Sequence, residues 1–537
     1  MSRLSKCRLV ALLFCFLICV GCGDVYRPTI IPNPVPIPDP QNFHTVFAVS
    51  QNGSAYSGTG MQVDVSGDSN AGVTKVAKQP VHATVLGTRV WVANFLSDSV
   101  SVFSVAQSSG AIGTSTDINL SPGSKPVFVA STETATMYVA NSGQLTDLTT
   151  SQAYYAVDAI NTSSNVMTEI RLPDTAVTPW ALTERPDGKR LYVVNRDSNN
   201  VTVINTVDRS LNTTLTLGIG ISPRWAVARS DNARVYVLGH DGTLTTVDTT
   251  GSTDQVMSSI PVGAGSDSFF YDGRLNRLYI PNPTSNTVSI YDVTGDPPAV
   301  LATIDLTKPI TAGGTDSPCP QTGCSPLSVA SLPDGSRAYL ASFYLDSTSA
   351  NCTQTPCLQA QLTVVNAVTN RVIKAIPLPA VSVSSVGNCA AARFRISAAA
   401  SIDSSRVYVS NCDGGGVSSV RTSDDSYVVT VPAPVSGFSP SAVNITGAVQ
   451  SGANTTYSYS LISGVPLFLG MPITVTGIAN PGDSTLNPDN GTFTVVALGA
   501  GTFTVTNSLG TSTTAAQTAF GLGQPPPQNP FFIVAGP

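Results

Sequence analysis

The sequence predicts an all-β chain folded as a β-propeller, of eight blades with seven as the alternative, followed by a small C-terminal β-sandwich or barrel module. Three observations carry this. The stretch LYVVNRDSNNVTVINT (191–206) alternates apolar and polar residues with period two on either side of a polar turn, the pattern of a hairpin. Near-copies of it recur eight times, starting at Thr45, Val90, Met137, Leu191, Val235, Leu278, Ala338 and Val407. Each copy is followed by two more apolar strands, such as LNTTLTLG and then PRWAVAR, so one repeat holds four strands. A four-stranded unit cannot bury its faces alone, and stacking like units around an axis is the arrangement that buries them all.

In chain order, Arg3, Lys6 and Arg8 precede an apolar run from Leu9 to Val20, the length of a signal-peptide core and too short to span a bilayer. Residues 1–21 are therefore read as an export signal. Val20-Gly21-Cys22-Gly23-Asp24 resembles the lipobox of bacterial lipoproteins, which implies lipid attachment at Cys22, although Cys19 stands where that family usually has Leu. The other reading is an ordinary cleaved signal. Residues 22–42 are read as a tether, since from Arg27 to Asn42 proline recurs at nearly every second position, which blocks helix and central strand and favours an extended chain. A membrane-anchored lipoprotein of the cell envelope, periplasmic or at the cell surface, is the expected address.

The propeller is expected over 43–447. The inner strand of a blade often opens on proline, as in PVHATVL, PVFVAS, PWALTE and PRWAVAR, and turns such as Arg185-Pro186-Asp187-Gly188 follow it. The first copy lacks an inner strand before Thr45, and PSAVNITG (440–447) is expected to supply it and close the ring, with PFFIVAGP near the C-terminus as the alternative. LYVVNRDSNNVTVINT, LYIPNPTSNTVSIYDV and VWVANFLSDSVSVFSV resemble the repeat of the YVTN (YncE-like) β-propeller proteins. That resemblance implies the fold. It also implies one enzymatic alternative, a hydrolase such as a lactonase with its site at the mouth of the central channel.

From 448 to 523 the repeat is lost and short strands such as NGTFTVVALG and GTFTVTNS appear, which resemble the Ig-like or small-barrel appendages of bacterial surface proteins. A proline-rich tail, 524–537, completes the chain, with PFFIVAGP as a candidate strand.

Composition limits function. Charged residues make up 11% of the chain and the net charge is −6, with no basic run beyond the first eight residues, so nucleic acid is not an expected partner. Six cysteines remain in the mature chain, and three disulfides are expected: Cys319–Cys324, Cys352–Cys357 and Cys389–Cys412. The Cys-x4-Cys spacing and the scarcity of histidine argue against zinc, and no metal or cofactor is expected.

Strand direction places every long insertion (143–153, 307–325, 345–359 and 380–392) and all six cysteines on one face, which is expected to be the functional one. His82, Trp180, Arg224 and Trp225 lie at the openings of inner strands and are the candidates for contacting a ligand at the channel mouth. No GxSxG elbow is present and only three histidines are available as bases. The expected function is a tethered binding or scaffold protein that engages a protein, peptide or glycan of the envelope.

Overall fold

The computed structural model describes residues 44–53, 57–105, 112–132, 135–216, 219–311, 316–347, 356–383, 389, 392–433, 441–463, 466–467, 471–478, 487–512, 519–523 and 529–536. The chain divides into 1–42 and 43–537. The signal, Cys22 and the tether fall in the first part, outside the described residues.

Eight antiparallel four-stranded sheets form the blades, and the seventh carries a short fifth strand, Val381–Ser382. Their inner strands are Asn529–Ala535 for blade 1, then Pro80–Leu86, Pro126–Ala130, Pro179–Glu184, Pro223–Ala228, Phe270–Asp272, Ser325–Ser331 and Ile396–Ala400 for blades 2 to 8. Burial follows position. Second strands such as Arg190–Asn195 are buried on both faces because neighbouring blades cover both, whereas the outermost strand Gln255–Pro261 alternates exposed and half-buried residues.

Burial on both faces leaves the polar residues of the repeat in need of partners, and the sequence supplies them. Asn195, which ends the second strand of blade 4, donates Nδ2 to Thr202 Oγ1 at 2.9 Å and to Asn200 Oδ1 at 2.8 Å. Asn94 with Ser101 and Asn282 with Ser289 repeat the bond. In these blades the Asn ties the end of the second strand to the third.

An Arg-x-Tyr pair opens the second strands of blades 4 to 8, and in blades 4, 7 and 8 both its residues latch onto one aspartate of the next blade. Arg190 and Tyr192 both reach Asp254, with Tyr192 Oη 2.8 Å from Oδ2; Arg337 and Tyr339 reach Asp425 at 2.8 and 2.6 Å. Arg406 and Tyr408 reach Asp68 at 2.9 and 2.7 Å, which joins blade 8 to blade 1. Arg234 with Asp296, Arg277 with Asn370 and Arg89 with the Thr162 carbonyl continue the series. These latches occupy the face of the first-to-second and third-to-fourth turns. Sequence reasoning passed over them, although the recurrence of Arg two residues before Tyr is a readable signal.

The ring closes with eight blades through the C-terminal strand, not through 440–447. Asn529–Ala535 pairs with Thr45–Gln51 and packs between the inner strands of blades 8 and 2. Phe531 and Ile533 are buried on one side of it and Phe532 turns to the hub, the alternation an inner strand requires. The propeller therefore comprises the described residues of 44–433 together with this strand. Residues 441–447 belong to the appended module, whose first strand is Ser441–Ser451.

That module is a closed barrel of six strands, not an Ig-type sandwich. Ser441–Ser451 pairs with Asn454–Ser463, and the order continues through Thr502–Thr506, Gly491–Gly499, Pro472–Thr476 and Ala519–Gly523 back to the first. Its interior holds Tyr457 stacked on Phe503 (4.9 Å between centroids), with Val443, Ile445, Ile473 and Val505. Phe503 and Val505 face this interior together, and Phe493 packs half-buried beside them. No helix among the described residues is long and apolar enough to cross a membrane.

Candidate functional site

The site is built from one repeated local distortion. In blades 2 to 5 the pairing of inner and second strands skips one residue directly after the proline: Val81, Val127, Trp180 and Arg224. Each is the extra residue of a β-bulge, and a bulge re-aims the side chain it carries. All four line one cavity of about 320 Å³ at the mouth of the channel, within the size range of small-molecule sites.

The residue before each of these prolines is strained. Gln79, Lys125, Thr178 and Ser222 have φ of 49°, 52°, 58° and 51°, a left-handed conformation that costs non-glycine residues on the order of 1 kcal/mol or more. The strain turns each carbonyl towards the loop after the second strand, where it accepts the N–H of Phe95, Ser142, Arg196 and His240. Proline lacks an N–H to lose at this point, which is why the repeat places it there.

Below the cavity an aromatic layer fills the hub. His82 stacks on Phe128 with centroids 3.8 Å apart, and Trp225 meets Phe128 and Phe394 edge to face at 5.0 and 5.9 Å. Phe532 closes the circle against Phe394 and His82. His82 Nδ1 accepts the Val129 N–H at 3.4 Å, and burial, with the Arg393 charge adding to it, holds the imidazole well below its usual range. It is a neutral packing residue. Of the four candidates, Trp180 and Arg224 line the cavity, while His82 and Trp225 belong to the layer beneath it.

Arg393, which sequence reasoning missed, sits between the two. It leaves the loop that enters blade 8 and crosses the hub to the opposite side. Its guanidinium donates to the carbonyls of Trp180, Arg224 and Asp267 in blades 4 to 6, with the Arg224 bond at 2.6 Å, and lies 5.0 Å from the Trp225 ring centroid. Burial pushes it down to about 9; Asp267 opposes this, and the Arg224 and Arg196 charges add to it, so it stays protonated at neutral pH. The signal for it was only its place, four residues after Cys389.

The rim above holds two carboxylates. Asp197 is closed on Arg196 by two bonds of 2.7 and 2.9 Å and also accepts Thr178 Oγ1 at 2.7 Å. Asp267 Oδ1 lies 3.3 Å from His240 Nδ1 and 3.6 Å from Arg224 Nε. Among the described residues no group of three His, Cys, Asp or Glu could hold a metal ion.

The same face carries the disulfides Cys319–Cys324 and Cys389–Cys412. Cys357 is also disulfide-bonded, and Cys352, its expected partner, lies outside the described residues. Asn529 Nδ2 donates to the Cys412 carbonyl at 2.7 Å, tying the closing strand to this loop. Disulfides form and persist in oxidising compartments, so this is an extracytoplasmic β-propeller.

No protein-family profile matches the chain, and no curated protein does. Among solved structures it is similar to apo AztD from Citrobacter koseri at 10% identity, over 73% of this chain and 95% of that one, with a TM-score of 0.48. It is also similar to the periplasmic gluconolactonase PpgL of Pseudomonas aeruginosa, at 14% identity over 64% and 97% with a TM-score of 0.46. A third is a functionally unknown protein from Desulfotomaculum acetoxidans, at 10% identity over 64% and 96% with a TM-score of 0.44. Likeness at this level assigns no activity.

Proposed function

We propose that this protein is a lipid-tethered, YVTN-like propeller of the cell envelope that binds a ligand through its disulfide-braced face, with the barrel acting as a spacer. The observation that carries the reading is the asymmetry of the two faces. One is tied up in Arg-x-Tyr latches between blades. The other gathers the inner-strand bulges with the side chains they re-aim, the cavity and the disulfides.

The test compares Trp180→Ala and Arg224→Gln on the mouth face with Lys189→Glu on the latch face, measuring retention of an envelope component by the full mature chain. Loss in the first two and retention in the third is expected; the reverse pattern overturns the reading. The tether is tested separately: Cys22→Ser abolishes labelling by palmitate and releases the protein from membranes, and unchanged labelling removes the lipid from the account.

One observation favours a second reading. His240 beside Asp267 is a base–carboxylate pair at the mouth, as a propeller hydrolase such as a lactonase would use. Against it, Asp267 also faces Arg224, and the cavity wall is cationic. Lactone hydrolysis by the mature chain that disappears in His240→Ala would move the assignment to this class.

A further inference from the structure

The wall of the mouth cavity has more donors than acceptors. Three guanidinium groups lie around the Trp180 indole, those of Arg196, Arg393 and Arg224 at 4.4, 5.3 and 5.4 Å from its centroid. Two carboxylates answer them. Asp197 is consumed by Arg196, and Asp267 stands 3.6 Å from Arg224 Nε, too far for a hydrogen bond. Among the described residues Arg393 donates only to neutral main-chain carbonyls. Three arginines against two aspartates leave one positive charge without a counter-charge.

Hydrogen bonding points the same way. Buried Trp180 Nε1, Arg224 Nε and Arg393 Nε have no acceptor among the described residues, against one buried acceptor without a donor at the site, Asp267 Oδ1, a local excess of donors. Neither terminal nitrogen of Arg224 makes a hydrogen bond among the described residues, and the side chain is 21% exposed, so these donors open onto the cavity. The far wall presents Val81, Val127 and Phe95 beside the uncharged Gln51 and Gln79. On the hub side, Arg393 lies over the rings of Trp225, Phe394 and Phe128 at 5.0, 5.4 and 5.8 Å from their centroids.

Resting on the reading that this face binds, we propose that the cavity takes a small organic carboxylate, its two oxygens received by the terminal nitrogens of Arg224 and its apolar body laid along Val81 and Val127. A planar carboxylate matches the guanidinium fork, and a monoanion neutralises a wall of net charge +1, where a dianion would leave charge of the other sign in a desolvated site. Arg393 is a positioning residue: it holds fixed positive charge beneath the ligand and pins the main chain of Trp180 and Arg224.

The experiment is calorimetric titration of the full mature chain with butyrate, and in parallel with butyramide, butylammonium and sulfate. Saturable binding of butyrate is expected, with the other three weaker, and Arg224→Gln lowers butyrate affinity about tenfold or more while near-ultraviolet circular dichroism stays that of the native protein. Arg393→Lys retains the charge and part of the affinity, which separates charge from folding. Butyramide or sulfate binding as tightly as butyrate overturns the proposal, as does unchanged affinity in Arg224→Gln. If no probe binds at millimolar concentration while mouth-face variants still lose their envelope component, the carboxylate assignment falls and the binding face stands. If those variants keep that component, both fall.

Discussion

Replacing Asp68 by Asn tests the seam of the ring. One Asp68 oxygen accepts Arg406 Nε at 2.9 Å, and the other accepts Tyr408 Oη at 2.7 Å, Ser419 Oγ at 2.5 Å and, at a longer 3.2 Å, the same Arg406 Nε. Its side chain is 8% exposed. Asn tolerates the left-handed backbone that Asp68 occupies at φ 46°, so the turn itself is undisturbed. The amide keeps one oxygen for Tyr408 and Ser419 but sets an NH₂ group against Arg406 Nε, donor against donor. A hydrogen bond to a charged partner contributes about 1.5–3 kcal/mol, and water reaching the partly exposed guanidinium offsets part of the loss, which leaves about 2 kcal/mol. A propeller of roughly 400 residues unfolds with an entropy near 0.8 kcal/mol/K, so Tm falls by about 2–3 °C. Scanning calorimetry measures that. Asp254→Asn breaks the equivalent latch between blades 4 and 5 and serves as the comparison. Hydrogen exchange should quicken in Thr45–Gln51 and Asn529–Ala535 only in the Asp68 variant, because only there does the broken latch bridge blades that lie at opposite ends of the sequence. An unchanged Tm, or exchange that rises equally in all blades, would refute the latch.

Asp158 stands where blades 2, 4 and 6 carry Ser101, Thr202 and Ser289, and accepts Asn141 Nδ2 at 2.8 Å in their manner. Burial pushes its carboxyl up to about 7, opposed by the Asn141 bond and aided by Glu169. The unfolded chain ionises near pH 4, so the folded state holds an extra proton between about pH 4 and 7. Stability therefore falls as pH rises through that window and levels off above it, by as much as about 4 kcal/mol. Asp158→Ser should melt higher, with a larger gain near pH 8 than near pH 5; an equal gain at both would place the cause in packing. Removing Cys389–Cys412 as the double serine variant opens a loop of sequence separation 23, about 3.4 kcal/mol in the chain-entropy account. It should also weaken mouth-face binding, because Arg393 loses its nearby anchor, and binding that survives unchanged would detach Arg393 from the site.

The repeat was legible because period-two alternation and proline-opened strands are local signals, and blade number followed from counting them. Legible too was the gathering of insertions and cysteines on one face, since strand parity alone places them together. The closing strand was misassigned for a physical reason: PSAVNITG and PFFIVAGP both alternate, and only packing against Val49, Phe394 and His82 distinguishes them. Trp180 and Arg224 were readable as inner-strand openers. That a bulge sends them to the cavity, while His82 and Trp225 one position later turn to the hub, depends on register, which hydrophobic pattern does not encode. Arg393 belongs to no repeat. Its role arises from reaching across the ring, a contact between residues more than 120 positions apart.

Taking the inner strand of blade 1 from the C-terminus would be costly if the barrel were an open loop. Closing the ring through residues 434–528 as flexible chain would add about 2 kcal/mol of closure entropy over a connector of a dozen residues. The barrel removes most of that difference, because its first and last strands pair with each other and set Ser441 directly opposite Gly523. To the propeller it behaves as a short bridge, an inserted domain with adjacent ends. Excising 441–523 and joining 440 to 524 should accordingly leave a folded ring, with native near-ultraviolet circular dichroism and Tm within a few degrees of the parent. Truncation after 447 removes Asn529–Ala535 and exposes the edge of Thr45–Gln51, so that shorter chain should aggregate. If the truncated chain were the stable one and the excised chain unfolded, the barrel would be a structural part of the ring and its role as a spacer would be lost.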